Sequence, residues 1–334
     1  MSTAPWFDDG VRSRRTRGGK ELHHDRTTFL LCEHPMRALL LGARGAVGTV
    51  IRRELERADH TVTAASRAEA GGVRIDLRGD LAPLAALAGE HDVVINASGI
   101  ERPELATATA RTPLVDISAT GSYLAALRDA ARGLVVLGAG LAPGLTTVLA
   151  AALDTRPRDQ IDVLVMLGSG EKHGPAAVAW TAGLVGTDIH LPPDAGKVRN
   201  FRTSVRAEGP DGRTRRYLRA DFPDHILLAP TGSPVIRSYL TLGSAAMTAS
   251  LDLVGRLPAL RGVLSIAPHV GGEDWHVVAR NRRTGERRQA AGSGQSEATG
   301  RLTALAAVRI AGSTRGTATM ADLVSADEVE AVLA

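Results

Sequence analysis

From Ala38 to Gly140 the chain repeats one unit, a short apolar run followed by a segment of helical composition, and this repetition constrains the fold more than any other feature. The runs are "ALLLG" from Ala38, "TVTAAS" from Thr61, "VRIDL" from Val73, "DVVINASG" from Asp92, "TPLVDIS" from Thr112 and "GLVVLGAG" from Gly133. Segments such as "GTVIRRELERA" and "YLAALRDAA" lie between them. Unbroken apolar runs belong to strands buried on both faces, and helices between such strands supply the crossovers of a parallel sheet. The expected fold class is therefore α/β, a doubly wound parallel sheet of six strands of the Rossmann type.

After "LAPGLTTVLAAALDT" the pattern changes. The run "IDVLVMLGSG" reads as a strand, and "PAAVAWTAGLVG" as a helix opened by Pro175. From Lys197 to Thr241 short alternating strands follow, with turns such as "GPDGR". Trp180, Phe201, Tyr217, Phe222, Tyr239 and Trp275 all fall in this middle section, which marks a second domain whose aromatic residues suit the core of an antiparallel sheet. The segment "SEATGRLTALAAVRIAG" from Ser296 has the spacing of an amphipathic helix that ends at Gly312. Residues 1–35 mix charges of both signs with Gly and Pro and read as a disordered extension, with Met36 as the expected natural start.

Composition narrows the function classes. No apolar run reaches the length of a membrane span, and the one cysteine, Cys32, rules out an intrachain disulfide framework. The histidines show no metal-ligand spacing, so no metal is expected, and the reading is a cytoplasmic protein that does not bind a membrane. A net charge of +4 is small for 334 residues. The densest basic run, "RNRRTGERR" from Arg280, centres on Thr284-Gly285 and reads as a hairpin tip with a solvated face, so no nucleic acid is expected as a partner.

Gly42, Gly45 and Gly48 form G-x-x-G-x-x-G between the first strand and a helix, where the amides at Ala46 and Val47 and the helix dipole favour an anion such as a pyrophosphate. An NAD site places a carboxylate at the end of the second strand. Here that strand ends in Ser66-Arg67, which together with Arg44 in the glycine loop suits a ribose 2′-phosphate, so the expected cofactor is NADP(H). Asp76 and Leu77 follow the third strand at the adenine side. Asn96, Ala97, Ser98 and Gly99 end the fourth strand, and Ser118 closes "VDIS" after the fifth; small residues there leave room for the nicotinamide half. Asp116 suits a capping or loop-fixing carboxylate as well as a catalytic one.

"GARGAVG", "VVINASG", "TPLVDISATGSYLAAL", "GAGLAPGLTTVLAAAL" and "GSGQSEATGRLTALAAVRI", taken in this order, resemble the saccharopine dehydrogenase-like (saccharopine reductase-type) oxidoreductases, from about Met36 to the C-terminus. The resemblance implies a Rossmann domain over 36–150, an α+β substrate and dimerisation domain over 151–294, and C-terminal helices over 295–334 that return to the first domain. It also implies NAD(P)-dependent hydride transfer at a C=N or C–N bond of a small amine, imine or amino-acid derivative, often in a homodimer. The sequence departs from the pattern at Ile100-Glu101, where relatives carry a Pro and an aromatic residue, and at Ala142, where an acidic residue often stands. A carboxylate at Glu101 favours a cationic amine among substrates. A C=C or C=O reductase and a catalytically inert NADP-binding module are the alternative readings.

Reduction of an imine asks the protein to hold the donor against the carbon and to supply a proton to the nitrogen. The loop "GSGEKHGPAAVAW" from Gly168 follows a strand and precedes a helix. It offers Lys172 and His173 as proton donors and the amides from Gly174 to Ala177 for a substrate carboxylate. Tyr239 and Trp275 are weaker candidates, and an ordinary solvated loop at 168–177 remains an equal reading.

Overall fold

The computed structural model describes residues 34–67, 72–170, 175–229, 232–259, 262, 271–310 and 316–334. The disordered extension proposed for residues 1–35 lies, but for its last two residues, outside the described residues, as does Gly312.

The first half builds β1 (Arg37–Leu41), α1 (Ala46–Arg57), β2 (Thr61–Ser66), β3 (Val73–Arg74), α2 (Ala82–Ala88), β4 (Val93–Asn96), α3 (Glu104–Ala108), β5 (Leu114–Asp116), α4 (Gly121–Ala130), β6 (Val135–Leu137) and α5 (Leu145–Ala151). Each apolar run identified in the sequence coincides with one of these strands, β1 beginning one residue earlier at Arg37. Successive residues of a strand point to opposite faces, and both faces here are dry. Ala38, Leu40, Val93 and Ile95 pack on one side with α1, while Leu39, Leu41, Val94 and Leu114 pack on the other with α2 and α4.

The second half builds β7 (Gln160–Leu167), α6 (Pro175–Leu184), β8 (Ser204–Glu208), β9 (Thr214–Arg219), α7 (Asp224–Leu228), β10 (Val235–Leu242), α8 (Ala245–Arg256), β11 (Asp274–Asn281) and β12 (Arg287–Ser293). The chain then closes with α9 (Gln295–Ile310), β13 (Thr317–Ala318), α10 (Met320–Leu323) and α11 (Ala326–Leu333).

The first sheet runs β13-β6-β5-β4-β1-β2-β3 and is parallel throughout, the doubly wound order with one strand more than the sequence predicts. The added strand is β13, whose Thr317 and Ala318 pair with Val135 and Val136. The second sheet runs β12-β11-β7-β10-β9-β8. It is mixed rather than antiparallel, because β10 pairs with β7 in parallel from Val235↔Gln160 to Leu242↔Leu167. The hairpin expected at Thr284-Gly285 is present between β11 and β12, with Arg280 opposite Arg287. Its Arg282, Arg283 and Arg288 are exposed, and several of its arginines also hold acids beneath them: Arg280 and Arg282 hold the buried Asp162 at 2.6 and 2.7 Å and Arg283 holds Asp159 at 2.6 Å.

One apolar cluster joins the two sheets. It includes Leu40, Ile95, Val115 and Val136 of the first, Ile161, Val163, Leu240 and Val277 of the second, and Leu145, Leu149, Leu302 and Leu305 from α5 and α9. The helix α9 is therefore buried on more than one stripe, with every residue from Leu302 to Val308 inside. It crosses α1 closely: a Cβ on Gly300 would lie 2.5 Å from the Val50 side chain. Only a glycine permits this approach. The C-terminal segment thus completes the first sheet and its covering layer. Among the described residues no helix is long and apolar enough to cross a membrane.

Candidate functional site

Gly42 leaves β1 with φ +86°, a left-handed conformation that a side chain would strain. A Cβ there would also collide with the Ala97 carbonyl at the end of β4, and a Cβ on Gly48 would collide with the Gly42 carbonyl. These two glycines allow strand, turn and helix to close on one another. Gly45 is the N-cap of α1 and is exposed, and no side chain caps the helix start. The first turn carries no acidic residue either, so its donors and dipole face outward uncompensated.

Beside this turn opens a cleft of about 420 Å³. It gathers Gly42, Arg44, Gly45, Ser66, Arg67, Asp76, Leu77 and Ser98 from the positions singled out in the sequence. Arg44 reaches across to Ser66, donating from Nη2 to Oγ at 3.1 Å, so the glycine turn and the end of β2 meet in one polar wall. The sequence reading missed Arg78 and Ile100, which also line the cleft. Arg78 follows the adenine-side residues directly, and its charge type was the available signal. Arg102, also missed, donates from Nη1 to the carbonyls of Leu77 and Gly79, both at 2.8 Å, and so ties the loop after β3 to the loop after β4.

Ala46, Val47, Gly48, Asn96, Ala97, Gly99 and Ser118 do not line this cleft. Asn96 has a structural task at the carboxyl edge of the sheet. Its Nδ2 donates to Asp116 at 2.7 Å and to the Ile100 carbonyl at 3.1 Å, and its Oδ1 accepts from the Ser98 hydroxyl at 2.6 Å. Asp116 is wholly buried at the end of β5 and also accepts from the Ser118 N–H and the Tyr123 hydroxyl, both at 2.8 Å. It fixes the loops after β4 and β5. Burial raises its pKa against these three hydrogen bonds, and burial followed by the charge of Asp116 raises that of Tyr123. Glu101, exposed at the rim, is raised by burial of its carboxyl group and by Asp116, in spite of a hydrogen bond with Thr120.

Across α4 the second half of the chain comes down on this edge. Gly121 at the start of α4 is where they touch: a Cβ there would meet Ile226 Cδ1 at 2.8 Å, Pro223 at 3.7 Å and His190 Cβ at 3.8 Å. His190 is held by both of its backbone groups. Its N–H donates to Asp221 Oδ2 at 2.9 Å, and its carbonyl lies 2.8 Å from His225 Nε2. None of these three residues stood out in the sequence, because each is a lone polar residue between unrelated elements.

Lys172 and His173, the proton donors proposed from the sequence, lie outside the described residues. Tyr239 and Trp275 are buried in the second sheet, and Tyr239 receives a hydrogen bond from Arg282 there at 3.3 Å. Among the described residues no group of three His, Cys, Asp or Glu side chains converges to hold a metal ion.

No protein family matches the chain, and no curated protein sequence matches it. Among solved structures it is similar to an engineered D-amino acid dehydrogenase bound to NADP+, at 15% identity and TM-score 0.43, over 90% of this chain and 96% of that one. It is similar to a dihydrodipicolinate reductase from Paenisporosarcina sp. TG-14 bound to dipicolinate, at 10% identity and TM-score 0.40, over 87% and 100%. A protein of Streptococcus pneumoniae TIGR4 matches at 24% identity and TM-score 0.21 over 26% of this chain, which spans about half, 49%, of that protein. Likeness at this level carries no argument about activity.

Proposed function

We propose that the chain is an NADP(H)-dependent oxidoreductase of saccharopine dehydrogenase type that acts on a C=N or C–N bond of a small amine, imine or amino-acid derivative. The observation that carries the cofactor assignment is the arginine wall of the cleft. Arg44, Arg67 and Arg78 surround the end of β2, where Ser66 stands in place of the carboxylate that an NAD site uses. Guanidinium groups match a 2′-phosphate in charge and in geometry.

When bound, the cofactor supplies the hydride. The amides at the start of α1, at Gly45, Ala46 and Val47, would hold its pyrophosphate, and Gly42 and Gly48 keep the turn close. Arg102 holds the adenine-side wall in place. Asn96 and Asp116 position Ser98, Gly99 and Ser118 at the carboxyl edge, where they would border the nicotinamide half. Lys172 and His173 remain the proposed proton donors. The chain works in the cytoplasm as a homodimer on a small-molecule substrate.

The test is a fluorescence titration with NADPH and NADH of the protein and of Arg67→Ala. NADPH is expected to bind more tightly than NADH, and the variant to lose about tenfold in NADPH affinity alone, the effect of about 1.4 kcal/mol from one charge-assisted contact. Equal loss for both nucleotides would remove the 2′-phosphate assignment.

A further inference from the structure

A second cleft, of about 460 Å³, opens on the other half of the chain, ahead of β8. Asp188, Lys197, Val198, Arg199, Arg202 and Thr203 line it, and none of them lines the cleft beside Gly42. Three cations thus face one carboxylate. Arg199 lies 3.5 Å from Asp188. Lys197 and Arg202 are exposed, and among the described residues neither side chain has a hydrogen bond or an ion pair. Other arginines of this half are met by acids: Arg219 and Arg237 by Asp194, and Arg280 and Arg282 by Asp162.

The backbone beneath these cations is firmly held. The Ile189 N–H donates to the Val198 carbonyl at 2.7 Å and the Asn200 N–H to the Thr187 carbonyl at 3.1 Å, so residues 187–189 and 198–200 run side by side. Asn200 is fully buried; its Nδ2 donates to the Thr187 hydroxyl at 3.2 Å, and its Oδ1 accepts from the Asp221 N–H at 2.8 Å. Phe201 is fully buried as well, so close to α8 that a Cβ on Gly255 would lie 2.7 Å from the Phe201 Cβ. In an extended chain Arg199 and Arg202, three residues apart, point to opposite faces. Phe201, between them, has φ +61°, a left-handed conformation that is strained for a bulky side chain. This kink accounts for both arginines lining one cleft. Strain of this kind persists only where the surrounding packing imposes it, and it gathers at ligand-binding sites.

We propose that this cleft binds a small phosphorylated molecule through its phosphate, with Lys197 and Arg202 as the main cationic contacts. Two cations without a counter-ion match the two negative charges of a phosphate ester. Arg202 presents a planar fork to its oxygens and Lys197 a compact charge. Arg199 has five N–H donors and keeps some for the ligand while it holds Asp188, and the Thr203 hydroxyl adds another. The site goes beyond the redox reading and stands without it.

The probe is inorganic pyrophosphate, titrated calorimetrically into the full chain in the presence of saturating NADPH, beside acetate at the same ionic strength. One pyrophosphate site is expected, and none for acetate. Lys197→Gln and Arg202→Gln are each expected to weaken pyrophosphate about fivefold, the effect of one exposed charge contact, and the double variant to abolish its binding. NADPH affinity and the urea midpoint are expected to stay unchanged in all three. No pyrophosphate site beside NADPH, acetate bound as well as pyrophosphate, or equal binding by the parent chain and the double variant would overturn the proposal. NADPH binding is read in the same samples. If NADPH does not bind, the redox reading falls while the double variant still decides this site, because the first cleft's share of the pyrophosphate is the part lost in Arg67→Ala.

Discussion

The second sheet and the junction at α4 both bury acidic residues, and they treat them in opposite ways. In the sheet, Asp162 is fully buried and meets two arginines from the β11–β12 hairpin, and Asp194 meets Arg219 and Arg237. The hydrogen bonds of Arg283 and Arg215 hold Asp159 and Asp211 well below the usual carboxylate range. For Asp194, burial pulls upward but Arg237 and Arg219 outweigh it. At the junction burial prevails: the charges of His225, His190 and Arg219 oppose it at Asp221 without outweighing it. The first arrangement meets its acids with arginine; the second meets Asp116 and Asp224 with neutral donors such as Asn96, Tyr123 and Ser238.

The contrast breaks first, and hardest, at Asp162. Asp162→Ala leaves Arg280 and Arg282 without their carboxylate and is expected to cost about 3 kcal/mol, read as a lower denaturation midpoint in urea. A loss under 1 kcal/mol would mean that the hairpin arginines are satisfied by water and that the sheet is not held by this pair.

A smaller effect tests the same sheet through pH. His276 donates to or accepts from the Tyr217 hydroxyl at 2.7 Å, with Arg215, Arg287 and Asp211 around it. Burial, and then the charge of Arg215, push its pKa down to about 4. An imidazole that is harder to protonate when folded than when unfolded stabilises fully above the unfolded pKa of about 6.5, and that stability is lost as pH falls toward 4. Between pH 7 and pH 5 the loss is about 2 kcal/mol. His276→Gln is expected to flatten that part of the stability profile, and an unchanged slope would assign it to other groups.

The smallest effect should have the opposite sign. Asp221 has a raised pKa, so it favours the folded state below the ordinary aspartate pKa of about 3.9 and gives that up as pH rises through its own value. At pH 8, Asp221→Asn is expected to leave stability unchanged or to raise it by up to about 1 kcal/mol, measured by urea unfolding. A loss like that of Asp162→Ala would show that the junction acids hold the fold as those of the sheet do, and the contrast between the two regions would disappear.

Much of the first sheet was legible because its information is local. A run such as "DVVINASG" is apolar at every residue that β4 buries except Asn96, and the glycines at 42 and 48 mark a turn that a side chain would not fit. The end of β2 was legible for the same reason, since Ser66 and Arg67 need no partner to show that a carboxylate is missing. Asp116 was legible only as an acid after a strand. Its work as a fixer of two loops depends on Asn96 and Tyr123, 20 and 7 residues away.

The chain's own residues thus determined the parallel sheet, its glycine turn and the charge type of its cleft, because apolar runs and glycine spacings act within a few residues. Tertiary structure alone decided that Thr317 and Ala318 become a seventh strand, since a two-residue strand has no period to read. It also decided that β10 runs parallel to β7, that the hairpin arginines find Asp162 from 118 and 120 residues away, and that His190, Asp221 and His225 meet over Gly121. Pairings of that range are set by the packing of a shared core, and no local pattern in the sequence records them.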